Sequence, residues 1–297
     1  MKFAAPVQIA SEDMLGAKFR IHLTYLWRHR RLLSLRDPKL FTELVQHRKL
    51  YDRDLRLPNL ADKSRVKALV TERLGDEWVV PTLWSGTVLP DAPEWRAPFV
   101  LKSTHGANQS IFVRDETFDW PAIRERAHRW LRSAYGGWLD EWLYSQIPPG
   151  LIVEPFVGID GVLPLDYKFY VFGGRVEFIQ VHFDREHAHR WRIFDRVWRP
   201  VGREVAGLSF LPPTALSRMI DAAEELGRTF DFVRIDLYQP STTPLFGEMT
   251  FYPGSGLDPF DPPELDAIMG ELWLGARRGP VRGQIGAGEH GLLPSLA

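Results

Sequence analysis

Arg234 and Asp236 stand two residues apart in FVRIDLY, and Glu248 and Thr250 repeat that spacing in FGEMTFY, after an intervening turn. Residues two apart in a strand share a face. Each segment therefore turns a polar pair to one side while Ile235, Leu237 and Met249 point to the other. Charges on a covered sheet face are costly unless a cation or a ligand pairs with them. Two carboxylates that meet across adjacent strands are the oxygen donors that Mg²⁺ takes together with substrate phosphates. Arg234, on the same face, can neutralise charge that develops in phosphoryl or acyl transfer. The same residues can equally form a structural ion network, although two acids to one guanidinium leave room for a cation.

Lysine usage adds a second clue. Of 37 basic residues only eight are lysine, and beyond Lys67 only Lys102 and Lys168 remain. A chain that spends arginine on solvated charge can keep lysine for a compact ammonium, as phosphate coordination requires. Chance scatter explains the count as well. Lys102 lies in FVLKSTHGANQSIFV, where Ser103, Thr104, His105 and Gly106 offer backbone N–H groups to phosphate oxygens. The pattern is not a P-loop, and a plain hairpin with an outward lysine also accounts for it. LIVEPFV, at Glu154 to Val157, can present polar backbone and an apolar wall to a flat base, or can be a strand leaving the core. Asp166 and Lys168 share a strand face, which a simple salt bridge also satisfies. His182, His187 and His189 flank Arg185 with no metal-site spacing, and a solvated or substrate-facing loop is the simpler reading.

These residues need elements to hold them. Helical spacing predicts helices over Met14–Leu33, Asp37–Tyr51, Ala61–Leu74, Pro121–Ala134, Trp138–Ile147, Pro212–Phe230 and Pro262–Leu274. Strands are predicted in VVPTLW, FVLKST, Ser110–Val113, Leu151–Phe156, Tyr167–Phe172, Val176–Phe183 and Trp191–Val197, with Gly173-Gly174 as a hairpin turn. Helices mixed with largely antiparallel strands make an α+β protein. The tail from Ala276, rich in Gly, Arg and Pro, reads as loose. A net charge of −1 gives no reason to expect a nucleic-acid partner. No run approaches a membrane span, and Met1–Gly16 lacks a secretory core. The absence of cysteine excludes thiol chemistry, and a cytoplasmic protein is expected.

Taken in order, YDRDLRLPNLADKSRVKALV, FVLKSTHG, LDYKFYVFGG, FIQVHFDR and FVRIDLY…FGEMTFYPGSG resemble the TupA-like family of the ATP-grasp superfamily, over about Leu35 to Leu274. The resemblance implies an ATP-grasp fold in which two α+β subdomains clasp ATP after a helical N-terminal region. It divides the chain into 1–95, a small subdomain at 96–150, a Mg-ATP subdomain at 151–275 and a tail at 276–297. It implies that Lys63 and Lys102 hold the α- and β-phosphates of ATP under a flap of Thr104, His105 and Gly106. Glu154, Pro155, Phe156 and Val157 would receive adenine, and Asp166 the ribose or Lys168, which would reach the terminal phosphate. Arg185 would meet the transferred phosphate or the substrate carboxylate, and Arg234 the acyl-phosphate. Asp236, Glu248 and Thr250 would hold Mg²⁺, and Gly254, Ser255 and Gly256 an acceptor. Thr250 stands where ATP-grasp enzymes commonly carry asparagine. The activity implied is an ATP- and Mg²⁺-dependent carboxylate–amine ligase in polysaccharide or related synthesis, whose substrates are a small-molecule or glycan carboxylate and an amine or amino acid. A kinase on the same scaffold and a nucleotide-binding scaffold without turnover are the alternatives.

Overall fold

The structure is a computed structural model that describes residues 11–132, 135–183, 186, 190–202 and 211–279. Helices α1 (Ser11–His29), α2 (Phe41–Tyr51), α3 (Leu57–Ala61) and α4 (Val66–Leu74) come first. Strands β1 (Trp84–Gly86), β2 (Phe99–Ser103) and β3 (Ser110–Val113) lead to α5 (Trp120–Arg132), α6 (Trp142–Ser145) and β4 (Leu151–Pro155). Then follow β5 (Asp166–Phe172), β6 (Arg175–Phe183), β7 (Arg190–Asp195), β8 (Pro200–Val201), α7 (Leu216–Gly227), β9 (Phe232–Tyr238), β10 (Leu245–Thr250) and α8 (Glu264–Arg278). No helix among the described residues is long and apolar enough to cross a membrane.

The strands form two antiparallel sheets, ordered β1-β4-β2-β3 and β10-β9-β5-β6-β7-β8. The smaller sheet draws β1 and β4 from either side of the 96–150 segment. One of its faces supplies Phe99, Leu101, Val113, Leu151 and Val153 to a core shared with Trp120, Ile123, Ala127 and Trp130 of α5. Lys102, Val100, Ile152 and Glu154 lie on the opposite face, because they alternate with those core residues. The larger sheet likewise buries Phe169, Val171, Val233, Ile235, Leu237 and Met249. Met219, Ala222, Ala223 and Leu226, at helical spacing on α7, belong to the same core. On the opposite side, Phe41 of α2 and Trp273 of α8 pack on Phe232, with ring centroids 4.8 and 4.5 Å away. Phe172, Tyr170 and Phe178 extend this aromatic patch, and Asp166, Lys168, Gln180, Arg234, Asp236, Glu248 and Thr250 lie beyond it on the same side.

Several expected elements change form. The helix expected over Ala61–Leu74 begins only at Val66, because Asp62 Oδ1 accepts the N–H groups of Ser64 and Arg65 and turns the chain after α3. Trp138–Ile147 is not one helix: Gly136 (φ 79°) and Asp140 (φ 55°) bracket a single 3₁₀ turn before α6. VVPTLW is extended mainly outside the sheet, which it joins only at Trp84. The last helix continues through Arg278, so Ala276 is helical and not loose; 280–297 lie outside the described residues. The Gly173-Gly174 hairpin is present, with φ of 56° and 82° at the two glycines, as the turn joining β5 to β6 requires.

Candidate functional site

The larger sheet sets a row of polar groups edge to edge. Glu248 on β10 pairs with Asp236 on β9, Asp236 with Lys168 on β5, and Lys168 with Gln180 on β6. The next row runs Thr250, Arg234, Tyr170. The alignment of Glu248 depends on a register shift between Phe246 and Glu248, where Gly247 is the additional residue. Without that bulge Glu248 would fall opposite Ile235 and face the core. Glycine is required there: a Cβ would come within 2.8 Å of the Tyr238 ring and 3.0 Å of the Asp236 carbonyl.

Asp236 is buried at the centre of this row. Arg234 donates to both of its oxygens, each at 2.7 Å, and Lys168 Nζ donates to Oδ2 at 2.5 Å. Lys168 also lies 2.7 Å from the buried Asp166. Burial alone would raise the Asp236 pKa, but Arg234 and Lys168 outweigh it and hold the carboxyl at about 2. Burial disfavours the Arg234 cation, and Asp236 more than reverses this. Glu248 is held less closely: Arg234 Nη2 is 3.4 Å away, Thr250 Oγ1 3.3 Å, and its side chain is 32% exposed. Thr250 Oγ1 accepts from Arg234 at 3.1 Å while donating to Glu248.

On the smaller sheet Lys102 meets Glu154, Nζ to Oε2 at 2.6 Å, and Lys67 Nζ holds Oε1 at 2.5 Å. Lys67 is anchored further by the Val80 carbonyl and Thr82 Oγ1. Burial alone would raise the Glu154 pKa, but the two ammoniums bring it below its usual value. Lys63 Nζ donates to the Gly106 carbonyl at 2.6 Å and lies 3.8 Å from Glu248, joining the turn after β2 to the large-sheet row. Burial pushes its pKa down.

The structure therefore brings together Lys63, Gly106, Asp166, Lys168, Arg234, Asp236, Glu248 and Thr250, with Lys102 on the facing polar surface of the small sheet. Other expected roles do not fit the geometry. Thr104 and His105 are buried and committed to the fold. His105 Nδ1 accepts the Gly150 N–H and Nε2 then donates to the Trp130 carbonyl, while the Thr104 N–H goes to Gly150. This turn meets Lys63 twice through its backbone: the Gly106 carbonyl accepts from Lys63 Nζ and the Thr104 carbonyl from the Lys63 N–H. Glu154 does not offer an open carboxylate beside a base, since both its oxygens are taken by lysines. The Phe156 N–H is likewise taken by the Pro98 carbonyl, and Pro155, paired with Phe99 in the sheet, has no N–H to offer. Arg185, His187 and His189 lie outside the described residues. Lys67 has the geometry of a site residue that its sequence gives no reason to select, beyond the scarcity of lysine.

A cavity of about 390 Å³ opens beside Arg234, lined also by Tyr170, Gln180, His182, Gly254 and Gly256. Ser255 is buried between the two glycines, both of positive φ. The donor set keeps capacity for Mg²⁺. Asp236 already accepts three hydrogen bonds, leaving one of about four carboxylate lone-pair positions. Glu248 keeps Oε2 accessible, and Thr250 keeps a lone pair. Among the described residues no three His, Asp or Glu side chains gather as a metal cage. Two carboxylates and a hydroxyl fit an ion that keeps several waters and shares the ligand's phosphates.

No curated protein matches the sequence. Among solved structures, D-alanine–D-alanine ligase from Bacillus anthracis complexed with ATP is similar at 14% identity and TM-score 0.47, covering 74% of this chain and 67% of that one. The ATP-grasp ligase PsnB complexed with precursor peptide PsnA2 and AMPPNP is similar at 13% identity and TM-score 0.42, covering 92% and 75%. D-Alanine-D-alanine ligase from Helicobacter pylori is similar at 16% identity and TM-score 0.35, covering 72% of this chain and 60% of that one. The profile of the TupA-like ATP-grasp family matches residues 43–274, a single stretch that takes in both sheets and the Lys63, Lys102 and Asp236–Glu248 groups. On that match the chain belongs to the TupA-like ATP-grasp family.

Proposed function

We propose that the protein is an ATP- and Mg²⁺-dependent ligase that joins a carboxylate to an amine through an acyl-phosphate. The observation that carries the reading is the continuous polar row Lys168, Asp236, Arg234, Glu248, Thr250, which ends at a cavity large enough for a small substrate. In this reading ATP lies between the small subdomain around 96–150 and the large one around 151–275. Lys63, Lys102 and Lys168 take its phosphates, and the strand end at Glu154 to Val157 lies along the base. Asp166 keeps Lys168 oriented. Asp236, Glu248 and Thr250 would hold Mg²⁺, which when bound neutralises phosphate charge.

A carboxylate oxygen of the acceptor attacks the γ-phosphorus and ADP leaves. The amine nitrogen then attacks the acyl carbon, the C–O bond to phosphate breaks, and the amine proton passes to solvent. Arg234 faces the charge that builds on the transferred group and on the tetrahedral intermediate, with Arg185 as its expected partner. Its guanidinium is held in place by Asp236, so little reorganisation accompanies the reaction. Positioning and charge stabilisation supply the catalysis, and no nucleophilic side chain is needed. The finer reading is an amino acid or amine joined to a uronic-acid-type carboxylate for polysaccharide or related metabolite synthesis, in the cytoplasm.

The test incubates the protein with ATP, Mg²⁺ and candidate uronates, with and without amino acids. Phosphate release that requires both partners is the expected result. A stable phosphorylated product formed without amine would make the protein a kinase, and nucleotide binding without turnover across the panel would make it a scaffold.

A further inference from the structure

The cavity beside Arg234 is lined by two opposite charges that form no ion pair among the described residues. Arg28, in the last turn of α1, and Asp258, after the glycine turn, both line it. Neither has an ion-pair partner among the described residues, and they do not pair with each other. Arg234, which also lines the cavity, is by contrast already balanced by Asp236.

Arg28 is held in place, and Asp258 lies on the loop that holds it. Arg28 Nε donates to the Leu257 carbonyl at 2.9 Å, and His29 Nε2 meets the Gly256 carbonyl at 3.0 Å. The end of α1 is thereby docked on the same loop that carries Asp258. The Arg28 bond uses Nε alone, so both terminal amino groups remain for a ligand. Gly254 (φ 52°) allows Asp258 its position, because a Cβ there would collide with the Asp258 carboxylate. The wall of the same cavity also carries two aromatic rings, Trp191 and Phe260. Arg28 lies outside the region that matches the family profile, so family likeness does not account for it.

A ligand with one anionic and one cationic group on a compact apolar body satisfies this wall. A sugar acid satisfies only Arg28 and sets its hydroxyls and carboxylate against an uncompensated Asp258. We propose that this cavity is the binding site of an α-amino acid, the amine substrate of the ligase reading on which this inference rests. Arg28 receives the α-carboxylate, Asp258 receives the α-ammonium, and the side chain rests on Trp191 and Phe260. The nitrogen gives one proton to solvent before it attacks, and a second when the amide forms.

The test is calorimetric titration of the full chain with free amino acids, their methyl esters and their N-acetyl derivatives. The ester lacks the anionic end and the acetyl compound the cationic end. At least one free amino acid is expected to bind, with both derivatives weaker by about tenfold or more, the loss expected for a hydrogen bond to a charged group. Arg28→Gln should weaken the free amino acid but not the ester, and Asp258→Asn should weaken it but not the acetyl compound. Both residues are exposed, so the variants should keep the wild-type Tm. Binding of no amino acid, binding of glucuronate in their place, or amino-acid affinity unchanged in both variants would overturn the inference. ATP binding and ATP-dependent phosphate release, measured on the same protein, report separately on the ligase reading.

Discussion

Glu154→Gln removes one charge while keeping the shape of a side chain that two lysines hold. Lys67 loses the least, because the Val80 carbonyl and Thr82 Oγ1 still accept from it. Lys102 loses its one ion-pair partner. Breaking a fully buried pair costs about 3–5 kcal/mol, and an exposed pair is worth about 0.2–1 kcal/mol. The Lys102 side chain is 26% exposed and that of Glu154 only 8%, so the expected loss of unfolding free energy is about 1–3 kcal/mol. Nucleotide should act in the opposite direction. Lys102 must leave Glu154, or share it, to reach a phosphate, and the variant no longer carries that cost. ATP should therefore bind the variant up to about tenfold more tightly, since 1.4 kcal/mol is a factor of ten. The stabilisation by saturating ATP should exceed that of the wild type. The assay is urea unfolding with and without ATP, repeated from pH 7 to pH 3. Glu154 has a folded pKa below its ordinary value of 4.5, so its contribution is complete above that value and is lost as the pH falls through the folded pKa. The variant should lack this acid slope. Unchanged stability would refute the clamp, and weaker ATP binding would show that Glu154 touches the nucleotide directly.

The remaining predictions concern the large-sheet row. Glu248→Gln should abolish ATP-dependent phosphate release while unfolding within about 0.5 kcal/mol of wild type, as for a surface change, because the Glu248 contacts are long and its side chain is a third exposed. Asp236→Asn cannot be used as a silent catalytic knockout: it leaves Lys168 and Arg234 facing each other without their shared acid, and urea unfolding should show a loss of about 3–5 kcal/mol at neutral pH. In wild type the Asp236 contribution is present above 3.8 and lost as the pH falls through about 2, so the variant should lose less stability than wild type over that acid range. Gly247→Ala should cost about 1–3 kcal/mol through overpacking at the bulge and should lower turnover by misplacing Glu248, which paired stability and phosphate-release measurements will show.

Much of the large sheet was legible because its strands alternate. Ile235, Leu237 and Met249 had to face the core, so Arg234, Asp236, Glu248 and Thr250 had to share the other side. The register was less legible: alternation alone aligns residues within a strand, and it takes the bulge at Gly247 to bring Glu248 opposite Asp236. A glycine inside a strand is the available signal. Small polar residues after Lys102 suggested a phosphate-binding turn, yet Thr104 and His105 satisfy Gly150 and Trp130 instead. Composition cannot tell a turn that binds a ligand from one that anchors the fold, since both need the same donors. Lys67 and Arg28 reach the site across long sequence separations, and no local pattern marks either one.

The clamped pairs also explain how so many charges share one cleft. The cations Lys63, Lys67, Lys102, Lys168 and Arg234 are matched against Glu154, Asp166, Asp236 and Glu248, five against four. Each of the five lies within 4 Å of one of these acids, so a phosphate that enters takes a cation from an acid that already holds it. The two clusters respond differently. Asp236 keeps a bidentate Arg234 when Lys168 turns away, and Glu154 keeps Lys67 when Lys102 does. In each cluster one cation is fixed by further bonds and the other has only carboxylates as partners. Lys168 and Lys102 are thus the lysines free to follow the phosphates, while Arg234 and Lys67 stay behind to keep the buried acids ionised. Exchanging the roles by Lys67→Met should trap Lys102 on Glu154, raising the KM for ATP while leaving kcat at saturating ATP close to wild type. An equal fall in kcat would instead place Lys67 in the reaction itself.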